Sequence, residues 1–173
     1  MLLMRMAAAA LLAAAAACSP TLDWRELRLA GSGVTLLLPC RPSAQVRSVQ
    51  LAGRSVQLSL QACSAGGQTW ALAFADVGDP AVLAPALDAL RAAAQANLGA
   101  TDGQTLPLAV PGATPNAASR RVLLNGKLPD GKAVQEQVAV FTHGTLVFQA
   151  TVLGESLPAD GVETFFGSLR FSP

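Results

Sequence analysis

Tyrosine is absent from this chain of 173 residues, histidine occurs once, and aromatic residues make up only 5%. Charged residues make up 13%, with 12 Lys plus Arg against 11 Asp plus Glu. A near-neutral, mixed-charge chain lacks the basic footprint of a nucleic-acid or anionic-lipid binder. It also lacks the composition of an acidic disordered tail. Three cysteines are too few for a disulfide-dense miniprotein. A zinc centre usually takes three or four His, Cys or carboxylate ligands, which one histidine does little to supply. No Gly-x-Ser-x-Gly sequence is present, and a catalytic triad would depend on His143 alone. Gly31-Ser32-Gly33 is followed by a strand pattern and by no Lys-Ser/Thr, so it reads as a hinge and not as a phosphate loop. The sequence therefore predicts no catalytic residues, no cofactor, no metal and no nucleic-acid partner.

What is present begins with an address. Residues 1–17 hold nine Ala, all three Met and one Arg. The amino terminus and Arg5 form a short positive region, and Met6 to Ala17 is an uncharged run. As a helix that run would span about 18 Å at ~1.5 Å per residue, too short for a hydrocarbon core of roughly 30 Å. These are the parts of an export signal. It ends Ala15-Ala16-Ala17-Cys18, and small residues before a Cys resemble the lipobox of bacterial lipoproteins, whose Cys becomes diacylated. Ala15 stands where such leaders usually carry Leu, and Ala15-x-Ala17 also fits an ordinary secretory cleavage site.

Cysteine parity favours the lipidated reading. With lipid on Cys18, Cys40 and Cys63 remain as an even pair for a structural disulfide in an oxidising compartment. A buried pair of free thiols is the alternative. Their separation is not that of Cys-x-x-Cys, so a thioredoxin-like role is not expected. Ser19 after the Cys resembles the sorting context of outer-membrane lipoproteins. The expected organisation is a signal peptide over 1–17, a lipidated tether over 18–23 and one domain over 24–173.

The mature chain is mostly short β patterns punctuated by turn residues. Strands are predicted over 24–29, 34–38, 45–51, 55–62, 69–75, 105–110, 119–124, 133–142 and 145–153. Val56, Leu58 and Leu60 alternate with polar residues at a period of two. Asn125-Gly126 and Pro129-Asp130-Gly131 read as turns, and His143-Gly144 as a two-residue hairpin connector. A symmetric hairpin about that connector would set Val140 against Val147. Leu83, Leu87, Leu90, Ala94 and Leu98 fall on one helical face, with Asp79-Pro80 as start and Gly99 as stop. Residues 160–169 predict a short second helix. The fold class is therefore α+β: a single, mostly antiparallel sheet of about 6–8 strands, with one long and one short helix covering one face.

Two stretches carry a resemblance. Val34-Thr35-Leu36-Leu37-Leu38-Pro39-Cys40-Arg41-Pro42 resembles the extended segment and Pro-x-x-Pro-like turn that open PsbP-like and DcrB-like exported proteins. Phe166-Gly167-Ser168-Leu169-Arg170-Phe171 resembles their closing helix and last strand. The Cys40/Cys63 pair departs from that pattern. The resemblance implies an antiparallel sheet with flanking helices and carries over no catalytic residue.

Arg120-Arg121, with Arg41, Arg47 and Arg54, reads as part of a solvated mixed surface, and His143 as an exposed turn residue. The function expected from these readings is a non-catalytic lipoprotein of the bacterial envelope. It would face the periplasm from the outer membrane, held to the membrane through the lipid on Cys18, and bind or assemble with an envelope protein partner. The alternative is a carrier of a small apolar ligand in a cavity between sheet and helix.

Overall fold

The computed structural model describes residues 21–101 and 103–172. The signal peptide expected over 1–17 and the expected lipidation site Cys18 lie outside the described residues. The α+β class holds. Seven strands form an antiparallel sheet in the order β3-β4-β5-β9-β8-β7-β6. They are β3 (Ser43–Leu51), β4 (Arg54–Ala65), β5 (Gln68–Asp76), β6 (Gly103–Leu106), β7 (Arg120–Lys127), β8 (Ala133–His143) and β9 (Leu146–Gly154). The other strands, β1 (Arg25–Arg28), β2 (Val34–Leu38) and β10 (Arg170–Phe171), form a second sheet in the order β1-β2-β10.

Period-two patterning gives the main sheet two apolar faces. On one, Val122, Leu124, Val134, Val138, Val140 and Val147 meet helix α1 (Leu83–Leu98) through its buried stripe Leu83, Leu87, Leu90, Ala94 and Leu98. On the other, Trp70, Leu72, Ala139, Phe141, Phe148, Ala150 and Val152 meet Val34, Leu36 and Leu38 of β2 and Val162, Phe165 and Phe166 of helix α2 (Ala159–Ser168). The helices therefore cover opposite faces, which corrects the expectation of one covered face. Two apolar sheet faces need two covers, and the small sheet with α2 supplies the second.

Helix α1 starts as the sequence suggests. Asp79 caps a 3-10 turn over Pro80–Val82 by accepting from the Ala81 amide, and α1 follows. Pro85 falls in the first turn, where a missing N–H has no intrahelical partner to lose. Gly99 ends the helix in the left-handed region at φ 59°.

Two turn assignments change. Asn125-Gly126 was expected to end a strand, but β7 runs through it, pairing Gly126 with Val134. The glycine serves close approach. A Cβ there would sit 2.3 Å from the Leu98 carbonyl oxygen at the end of α1. In the β8–β9 hairpin the loop is Gly144-Thr145, closed by His143 against Leu146. Val140 therefore faces Gln149 and Phe141 faces Phe148, and the register continues unbroken to Gln135–Gly154. No bulge is needed. Moving the loop by one residue shifts every partner by two and so preserves each side chain's face. The expected strand over 105–110 is the short β6, which stops before Pro107.

Candidate functional site

Cys40 and Cys63 are joined in a disulfide with Cα atoms 5.9 Å apart. Cys63 lies inside β4 and Cys40 just beyond β2, so the bond ties the small sheet to the main one. In the chain-entropy model, closing a loop of about 24 residues is worth roughly 3–4 kcal/mol. A cleft of about 330 Å³ opens beside it, between Arg41, Ser43, Ser64 and Thr69.

Two other sequence readings are overturned. His143 is docked and only partly exposed: Nδ1 lies 2.9 Å from the Gly112 carbonyl oxygen, and the ring stacks on Phe171 at 4.1 Å. A carbonyl can only accept, so Nδ1 carries the proton. The ring fastens the long β6–β7 connection and β10 to the hairpin. Arg121 is no surface residue either. Its side chain is 6% exposed and its guanidinium lies 4.0 Å over the Phe166 ring. Nε donates to Gln137 Oε1 at 2.8 Å, and Nη2 donates to Glu163 Oε1 at 2.6 Å. A cleft of about 180 Å³ lies beside this cluster, under Pro107 and Leu108. The guanidinium is already engaged from both sides, which makes it a structural staple between β7 and α2.

The candidate site lies at the corner where the described chain begins. The glycine turn Gly66-Gly67, the exit of β9 at Ser156-Leu157 and the entry of α2 at Pro158 meet Thr21 and Leu22 there. They enclose a cleft of about 280 Å³. Gly161 of α2 keeps the contact close, since a Cβ on it would be 3.3 Å from both Leu22 Cδ1 and Trp70 Cη2. Gln68 forms part of the wall and is 7% exposed. Its Nε2 donates to the Ser156 carbonyl at 3.0 Å. Its Oε1 is buried and has no hydrogen-bond partner among the described residues. Such an atom is costly unless a donor reaches it. Among the described residues no charged side chain lines the cleft. The lining described is mostly apolar and suits a small apolar group. Sequence reasoning missed Gln68: it is one polar residue after a glycine turn, and nothing local marks its amide as buried.

Among the described residues no group of three or more His, Cys, Asp and Glu side chains is placed to hold a metal ion. No described helix is long and apolar enough to cross a membrane. No family model matches the chain, and no curated protein matches it.

Proposed function

We propose that this protein is a non-catalytic lipoprotein of the bacterial envelope. It is a binding or assembly module that faces the periplasm and is held at the outer membrane by lipid on Cys18. The observation that carries the reading is the Cys40–Cys63 disulfide. It fits an oxidising compartment, and it leaves Cys18 as the odd cysteine of three, directly after a run of small residues. The resemblance to PsbP-like and DcrB-like exported proteins supports the same reading.

The corner cleft favours the second reading, a carrier of a small apolar ligand. Its volume, about 280 Å³, is close to the lower end of small-molecule sites at ~300 Å³. The space beneath α1 is filled by its own buried stripe, so such a ligand would sit at the corner, against Leu22, Leu157 and Pro158.

Mass spectrometry of protein purified from membranes tests the anchor. The reading expects a diacylglyceryl group on Cys18 and release of Cys18→Ala protein into the soluble fraction. An unmodified Cys18 thiol in membrane-extracted protein would overturn it. Co-purified apolar material that disappears in Gln68→Leu would favour the carrier over the assembly module.

A further inference from the structure

We infer that the free edge of β3 pairs antiparallel with β3 of a second copy of this chain, with Val46 at the twofold axis. Strand β3 ends the seven-stranded sheet, and Ser43 to Ser48 are all exposed. Edge strands are usually blunted by shortness, proline, lysine or a bulge. The opposite edge, β6, is short, with four residues. β3 has nine residues and pairs with β4 without a bulge from Ser43–Ala62 to Leu51–Arg54. It contains no proline, and Arg47 is its one charge. Val46, 65% exposed, is the large apolar side chain left in solvent among the described residues.

The hairpin decides which backbone groups are free. Its loop is Ala52-Gly53, both with positive φ. A two-residue loop closes on a hydrogen-bonded pair, here Leu51 and Arg54. Counting back by twos, Val49, Arg47, Gln45 and Ser43 bond to β4. Ala44, Val46, Ser48 and Gln50 therefore aim their N–H and C=O groups away from the sheet. These are the groups a second strand would use.

Charge and side-chain matching select the second copy and its register. Centred on Val46, the pairing sets Val46 against the second copy's Val46, Ser48 against its Ala44 and Arg47 against its Gln45. Arg47 already donates to Gln45 Oε1 within one chain at 2.8 Å, so these side chains suit each other. Centring on Arg47 instead would oppose two like charges, which is destabilising. The favoured register buries the exposed valine and leaves no charge facing its like. One strand on one strand is a small contact, so the dimer forms with rising protein concentration.

Cysteine cross-linking reads the register directly, in a Cys18→Ala background so that the introduced thiol is the one free thiol. Directly opposed hydrogen-bonded residues have Cα atoms about 5.5 Å apart, within the ~4.4–6.8 Å that a disulfide spans. Val46→Cys should form a covalent dimer on mild oxidation. Ser48→Cys should not, because the two Ser48 residues lie four positions out of register, roughly 13 Å along the strand. Sedimentation should show a concentration-dependent dimer that Val46→Pro abolishes. That variant removes an outward N–H that β4 does not use, and circular dichroism should show its fold retained. A chain that stays monomeric at all concentrations, or one in which Ser48→Cys links as readily as Val46→Cys, would overturn the inference. Pairing instead with an unrelated extended peptide would appear as the first of these results.

Discussion

Arg121 holds Glu163 with two nitrogens, Nη2 at 2.6 Å from Oε1 and Nη1 at 3.4 Å from Oε2. The two ends of the pair live in different media: the guanidinium side chain is 6% exposed and the carboxylate 68%. The arginine is the committed partner, because β7, Gln137 and the Phe166 ring fix it whether or not the glutamate is there. Glu163→Gln keeps an acceptor oxygen and removes only the charge of a 68% exposed group, so it should cost no more than about 1 kcal/mol. Arg121→Ala should cost more, since it also removes the ring contact and the cover over Ala139 and Phe166. Urea denaturation of both single variants and the double variant measures the coupling. A coupling near zero would mean that solvent has replaced the glutamate.

Glu136 gives the protein a pH-dependent stability. It lies on the α1 face of β8, opposite Leu124 and Leu153, and is 6% exposed. Burial among these apolar groups pushes its carboxyl up to about 7 from an ordinary value near 4.5. Between those two values the folded state binds more protons than the unfolded state. Stability should therefore fall as pH rises from about 4.5 to 7 and stay low above that, by about 3 kcal/mol in total. Thermal melts across pH 4–8 should show this slope in the native protein and its absence in Glu136→Gln.

The histidine that reads as a bare turn residue has measurable work in the fold. His143→Ala should lose about 1–2 kcal/mol, from one hydrogen bond to Gly112 and one stacking contact with Phe171. Hydrogen exchange should show faster opening in β10 and the 107–116 connection, with β3 and β4 unchanged. A uniform change in all strands would mean that the ring does not act as a local fastener.

Gly126→Ala should be among the most damaging single-methyl additions available. The new Cβ would meet backbone, the Leu98 carbonyl oxygen at 2.3 Å, and backbone cannot swing aside. A cost of roughly 1–3 kcal/mol or more is expected for such overpacking. Gly131→Ala meets no atom within 4 Å but holds φ at 87°, so its cost is conformational alone. Chemical denaturation of the two variants separates steric from conformational loss.

Particular residues show where sequence reasoning reaches and where it stops. The α1 stripe was legible because five apolar residues repeat at the helical period over a run without competing signals. The disulfide was legible because three cysteines leave one pair once Cys18 is set aside as the expected lipidation site. The hairpin loop was misplaced by one position because His143-Gly144 and Gly144-Thr145 each put the glycine where positive φ is allowed. The separate small sheet was hidden because β2 pairs with β10 more than a hundred residues away, and no local pattern encodes that partner. Arg121 and Gln68 were missed for a common reason. A polar residue in a strand slot looks solvated until the opposing layer is known, and here that layer is α2 and the exit of β9.

The pairing of β10 with β2 sets an order of events for folding. Val34, Leu36 and Leu38 are made early, but their second strand partner is Arg170–Phe171. Phe171 also lies against Phe141, Phe148 and His143. A chain emerging from its N-terminus first therefore carries an unfinished layer until residue 171 has arrived, with the leucines of β2 lacking their full cover. The closure that then occurs joins early and late segments at once. It makes the structure slow to assemble for its size and cooperative once assembled.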